Sequence, residues 1–180
     1  GVAVACNDIT STKRVEAALT ALTARDELTG LLNRRGFRQL AEHEMLVARR
    51  GRRVDAVLSL DLNGFKAIND TFGHAEGDAA LREVAGLLRS ALREVDVIAR
   101  FGGDEFVVYA PGAEKIDQVR LMAARLSEAF IAANGKARAV GRRYDLAAGI
   151  GVALVEPGDT LDVLLARADA DLYREKKSRA

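Results

Sequence analysis

The stretch RFGGDEF, residues 100–106, decides how this chain is read. It joins two apolar runs, DVIARF (96–101) and DEFVVYAP (104–111), separated by Gly102 and Gly103. Two such runs split by Gly-Gly signal a β-hairpin, because the favoured two-residue turns need positive φ, which glycine adopts without strain. Asp104 is then the first residue after the turn, at the end of a sheet. A tight turn explains the glycines. It does not explain paired carboxylates at its mouth, although Asp104 and Glu105 would also be at home there as solvated turn residues.

The best strand elsewhere is VDAVLSLDL (54–62). Alternation sets Leu58, Leu60 and Leu62 on one face and Val57, Ser59 and Asp61 on the other. If this strand neighbours the hairpin, Asp61 and Asp104 converge at one end of the sheet. Uncompensated, two carboxylates raise each other's pKa. A divalent cation removes the conflict, and Mg²⁺ favours one or two protein carboxylates with waters and substrate phosphates completing its shell. DLNGFK then leads through a glycine turn into a helix, where the N–H groups of 64–66 are free to meet phosphate. Lys66 adds a mobile positive charge. There is no GxxxxGK[ST], which excludes the Walker loop. A carboxylate, a phosphate-cradling turn and a lysine within six residues suggest a metal–nucleotide site.

The remaining pattern supplies helices and one more strand. NRRGFRQLAEHEMLVARRG reads as a helix with Phe37, Leu40, Met45 and Leu46 roughly on one side. DAALREVAGLLRSALR (78–93) is amphipathic, with Leu81, Val84, Ala85, Leu88 and Leu92 at helical spacing. DQVRLMAARLSEAFIAAN and TLDVLLARADADLYREKK read as helices, YDLAAGIGVALV as a strand. The fold class is α+β: a mixed, antiparallel-rich sheet flanked by helices, expected on one face.

Hydrophobic residues make up 49% of 180 and charged residues 29%, an ordinary globular composition. A net charge of +1 gives no field for nucleic acid or membrane. Cys6 is the lone cysteine, so no internal disulfide framework forms. No apolar run reaches membrane length and no signal-peptide pattern occurs, so a cytoplasmic setting without membrane contact is expected. The opening GVAVACNDIT lacks Met and reads as a strand cut from a longer protein. Val15, Leu19 and Leu22 form a short helical seam, suited either to a coiled coil or to packing on the domain.

RFGGDEF, DLNGFKAINDTFGHAEGD and DELTGLLNRRGF, in their order, resemble the GGDEF family of diguanylate cyclases from about Asp26 to the C-terminus. Residues 1–25 look like the last strand of a PAS-type sensor plus a signalling helix, which divides the chain into 1–25 and 26–180. The resemblance implies a palm-like nucleotide cyclase fold and the condensation of two GTP into cyclic di-GMP with release of two pyrophosphates. It implies Mg²⁺ or Mn²⁺, a homodimer with one GTP per subunit, and an upstream sensor domain as partner. Asp61 and Asp104 would hold metal with the Leu62 carbonyl, and Glu105 would activate the attacking 3′-hydroxyl or bind a second metal. Strict alternation would send Asp104 and Glu105 to opposite faces, a point the sequence leaves open. Gly64, Phe65 and Lys66 would receive phosphate, Lys66 acting with Asp104 and Glu105 in catalysis.

Asn69 and Asp78 match the guanine readers. A carboxylate accepts from N1–H and N2–H of guanine, and adenine lacks that pair of donors. Asp78 is also a good N-cap for the helix that follows. Lys176 matches the phosphate-contacting lysine of the last helix. The ending KKSRA has no glycine and carries its arginine one residue early, which leaves open whether Arg179 contacts phosphate or is a solvated helix end. Arg93-x-x-Asp96 matches the inhibitory product site for cyclic di-GMP, with Arg125 as its second arm from another subunit. The alternative is a non-catalytic module that binds GTP or cyclic di-GMP and signals through protein contacts.

Overall fold

The computed structural model describes residues 24–179. The sensor strand and the seam Val15, Leu19 and Leu22 lie outside them. The described residues form α1 (Arg34–Gly51), β1 (Ala56–Leu62), α2 (Phe65–Phe72), α3 (His74–Ala91), β2 (Val97–Gly102), β3 (Glu105–Ala110), α4 (Ile116–Ala139), β4 (Ala148–Leu154) and α5 (Leu161–Arg179).

The strands lie in the order β2-β3-β1-β4, and every ladder is antiparallel. Among the described residues the parallel element is one isolated bridge, Leu32 to Ala99. There the segment before α1 runs along β2, with Leu32 N–H donating to the Ile98 carbonyl at 3.3 Å and Arg100 N–H to the Leu32 carbonyl at 2.8 Å. This covers an edge that would otherwise expose unpaired backbone groups.

Helices cover both faces of the sheet, not one. Leu58, Leu60, Phe106, Val108 and Ile150 meet a core built with α2, α3 and α4. Val57, Val107, Tyr109 and Ala153 meet α1 and α5. The cause lies in β1 and β3, which are apolar at almost every position, and a strand of that kind must be buried on both sides.

Three expectations shift in detail. In α1 the buried seam is Phe37, Ala41, Met45 and Ala48, while Leu40 and Leu46 face outward. Steps of four, four and three keep the seam on one face, and Leu40 and Leu46 fall beside it. Helix α3 begins at His74, four residues before Asp78, because Gly73 (φ 87°) turns the chain directly out of α2. The same helix ends at Ala91, so Arg93 lies beyond it.

The hairpin is also displaced by one residue. Gly102 pairs with Glu105, which leaves Gly103 and Asp104 as the two turn residues. A register shift between Arg100 and Gly102 puts a bulge at Phe101. Bulges of this kind add a residue to one strand and re-aim its side chains. The Phe101 ring meets Phe37 edge-on at 5.3 Å, and the Arg34 guanidinium lies 4.6 Å from its centroid.

One buried polar network ties the far ends of β1 and β3. Asp55 is fully buried and accepts from Arg53 (2.7 and 2.9 Å), the Tyr109 hydroxyl (2.6 Å) and Gly112 N–H (2.9 Å). Four donors satisfy a carboxylate whose burial would otherwise be costly. Burial, then the bond to Asp55, pushes the Tyr109 hydroxyl well above its usual pKa.

Candidate active site

Asp61 is the penultimate residue of β1, and its register partners are Glu105 on β3 and Gly149 on β4. Directly opposed residues of an antiparallel pair share a face. The carboxylate that faces Asp61 is therefore that of Glu105, not that of Asp104. Asp104 is in the turn, and its carbonyl accepts Leu62 N–H at 3.2 Å. The sheet end thus gathers Asp61, Leu62, Asp104 and Glu105, with Asp104 joined through its backbone.

The phosphate-cradle candidate follows at once. Gly64 has φ 69°, and no side chain caps α2. The first N–H groups of that helix therefore have no side-chain acceptor, the condition that suits an anion. Asn63 N–H donates to the Ala147 carbonyl at 2.8 Å, which fixes the turn against the start of β4. Phe65 packs partly into the core and Lys66 is exposed.

Lys176 reaches the same place from α5 and donates from Nζ to Asp61 Oδ1. Glycines in β4 make this possible. A Cβ at Gly151 would lie 2.1 Å from the Ala168 carbonyl oxygen, and one at Gly149 would lie 2.9 Å from Lys176 Cε. Both glycines let α5 lie against the sheet. The side chain of Arg179 is outside the described residues.

Asn69 on α2 and Asp78 on α3 stand on the two sides of the α2–α3 corner. A Cβ at Gly77 would lie 1.9 Å from Asn69 Oδ1, so the glycine makes room for that side chain. Asp78 is exposed inside α3 and caps nothing there, since the helix starts at His74.

Arg93, Asp96 and Arg125 line one cavity of about 340 Å³ together with Gln118 and Met122. Buried Asp96 accepts from Arg93 N–H (2.8 Å) and from its guanidinium (3.1 Å), and the guanidinium also donates to the Pro111 carbonyl at 3.0 Å. Arg125 lines this cavity from α4 of the same chain.

Two features were not anticipated. Between α1 and α5, next to Asp61 and Glu105, lies a cavity of about 520 Å³ lined also by Arg34, Arg38 and Asp162. Arg38 donates to Asp162 through both terminal nitrogens, at 2.5 and 3.2 Å, across its rim. The second is a clamp on the hairpin. Arg100 donates to the Gly103 carbonyl (3.0 and 2.8 Å) and to both oxygens of Asp26 (3.2 Å each). Burial opposes the charge on Asp26, but the Thr29 hydroxyl and amide, with Arg100, outweigh it and hold the carboxyl below its usual pKa. Asp26 and Arg100 both fall within the motifs that carried the resemblance, yet neither has a spacing that signals a pair 74 residues apart.

A family model described as "Diguanylate cyclase, GGDEF domain" matches residues 23–180. The diguanylate cyclase DgcP of Pseudomonas aeruginosa is 41% identical over 155 residues, which cover 85% of this chain and 22% of that protein. DgcM of Escherichia coli is 35% identical over 171 residues, 94% of this chain and 40% of DgcM. The chain therefore spans less than half the length of these curated relatives. Among solved structures, the coiled coil and GGDEF domain of DgcB from Caulobacter crescentus, in complex with c-di-GMP, superposes with a TM-score of 0.79 at 27% identity, covering 98% of this chain and 93% of that one. The comparisons lend no support to a PAS-type strand at the N-terminus.

Proposed function

This chain belongs to the GGDEF family of diguanylate cyclases, and we propose that it condenses two GTP into cyclic di-GMP and two pyrophosphates. The observation that carries the reading is the facing pair Asp61 and Glu105, set between an uncapped helix start at Gly64 and the ammonium of Lys176. Like charges are brought together there beside two places that suit phosphate.

A hard divalent cation fits this donor set. Asp61, Glu105, Asp104 and the Leu62 carbonyl offer oxygen alone. Among the described residues no three His, Cys, Asp or Glu side chains are grouped as a metal site. An all-oxygen donor set suits Mg²⁺ or Mn²⁺, which take part of their shell from waters and phosphates. Bound there, the cation supplies charge stabilisation for the attacking and leaving oxygens.

The chain's own groups do the rest. The N–H groups after Gly64 and the cations Lys66 and Lys176 receive the triphosphate and orient the α-phosphorus. Glu105 accepts the proton of the attacking 3′-hydroxyl or holds a cation beside it. Asn69 and Asp78 take the guanine edge, and an adenine there leaves Asp78 unpaired. The 3′-hydroxyl arrives with the GTP of a second subunit, so the working unit is a homodimer. Arg93, Asp96 and Arg125 form the inhibitory site, where guanidinium groups match phosphate and the guanine edge. An upstream sensor that controls subunit pairing completes the reading.

The test is incubation with GTP and Mg²⁺ followed by chromatography for cyclic di-GMP. Glu105→Gln keeps the shape of the side chain and removes its charge. It is expected to cut product formation by about a hundredfold or more while GTP binding persists. GTP binding by the unaltered protein without product favours the non-catalytic module, and full turnover by Glu105→Gln removes that residue from the mechanism.

A further inference from the structure

The segment between α4 and β4 crosses α3 and ends at the phosphate turn. Arg142 is almost fully buried, donates to both carboxylate oxygens of Glu83 on α3 (2.6 and 2.7 Å), and donates from Nε to the Tyr144 carbonyl at 2.9 Å. Buried Asn134 holds Leu146 at both N–H and carbonyl (2.9 and 2.8 Å). The next carbonyl, that of Ala147, takes Asn63 N–H. The strap is therefore fixed at both ends by buried or bidentate bonds.

Tyr144 projects from this strap onto the α2–α3 corner. Its hydroxyl donates to Glu76 Oε1 at 2.7 Å and its ring lies 5.4 Å from that of Phe72. Phe72 ends α2, three residues after Asn69, and Glu76 stands two residues before Asp78. The junction itself is a lone glycine at φ 87°, whose N–H donates to the Asn69 carbonyl (2.9 Å) and whose carbonyl accepts from Glu76 and Gly77 N–H (3.2 Å each), with no side chain capping α3. Two side chains that read one planar base need a fixed separation, because hydrogen bonds weaken steeply with misalignment.

We infer that Tyr144 is a positioning residue for the purine base: by gripping Phe72 and Glu76 from the strap, it fixes the angle between α2 and α3 and hence the spacing of Asn69 and Asp78. The inference rests on Asn69 and Asp78 being the base readers. Tyr144 acts in this inference through Glu76 and Phe72 rather than on the nucleotide itself. Its proton is secure, since burial and the bond to Glu76 push its pKa up to about 12. The donor persists throughout any ordinary assay.

The experiment measures binding of fluorescent GTP, ITP and ATP analogues with Mg²⁺ to the protein and to Tyr144→Phe, Glu76→Ala, the double variant and Asp78→Asn. Thermal midpoints are followed in parallel. Tyr144→Phe removes one bond and keeps the ring, and is expected to weaken GTP binding by about fivefold, the scale of one ordinary intramolecular hydrogen bond. ATP binding falls less, so the GTP-to-ATP ratio drops. Glu76→Ala reproduces this loss, and the double variant adds little to either. If Asp78→Asn lowers the ratio while Tyr144→Phe and Glu76→Ala leave it unchanged, Tyr144 serves stability alone and the inference is overturned. If Asp78→Asn itself leaves the ratio unchanged, the base-reading assignment fails first, and the inference falls with it.

Discussion

Asp104 and Glu105 are neighbours in the chain with different surroundings. One lies in the turn, and the other sits in β3 opposite Asp61. Their placements therefore differ, where strand alternation alone left that open. Arg93 has a similarly defined setting, held by Asp96 and the Pro111 carbonyl. In the inhibitory reading, Arg93→Ala should raise the cyclic di-GMP concentration needed for half-inhibition by about tenfold or more, and an unchanged inhibition curve would contradict it. Asp26 gives a prediction in pH. Its folded carboxyl stays ionised to lower pH than the unfolded one, so its contribution is present above the usual carboxylate pKa and is lost as pH falls through the depressed value. Asp26→Asn should lower the thermal midpoint at neutral pH, with the gap from the unaltered protein closing below about pH 4. A gap that stays constant into acid would exclude this origin. At this scale the sequence announced residue types at their positions. It did not announce Arg100 gripping Asp26, because an ion pair between distant residues leaves no local pattern.

Elements were more legible than their edges. β1, the hairpin and the closing helix follow from alternation and helical spacing, since those periods reflect the burial that drives folding. The turn was read one residue early because a Gly-Gly pair is the ordinary turn signal and a bulge at Phe101 has none. The second helical layer was missed because a strand buried on both sides looks much like one buried on a single side when its apolar run is short. The glycines of β4 separate packing from propensity. Gly151→Ala would bring a methyl against the backbone of α5, 2.1 Å from the Ala168 carbonyl oxygen. The cost should be about 1–3 kcal/mol, read as about 2–4 °C of melting temperature per kcal/mol. Gly86 is a control within α3, where an added Cβ meets nothing within 4 Å. Gly86→Ala should stabilise by about 0.4–1 kcal/mol through helix propensity. Equal effects at the two positions would show that close approach to α5 is not what Gly151 provides.

At the level of the whole molecule, each helical layer contributes half of the site. In the proposed function, the face carrying α2 and α3 brings the Gly64 turn for phosphate and the Asn69–Asp78 corner for the base, and the face carrying α5 brings Lys176. The described residues of one chain form one such cradle, and joining two nucleotides requires two. Turnover per chain should therefore rise with protein concentration and vanish on dilution, measured beside sedimentation of the same samples. Constant turnover per chain over a hundredfold dilution would contradict the homodimer. The arrangement of layers was beyond sequence reasoning, because it depends on which helix returns to which side of the sheet. It has a mechanical corollary at Arg100, which holds Asp26 in one hand and the Gly103 carbonyl in the other. One guanidinium thus ties the acidic tip of the hairpin to the first described residues, so loss of that single side chain would untether both at once.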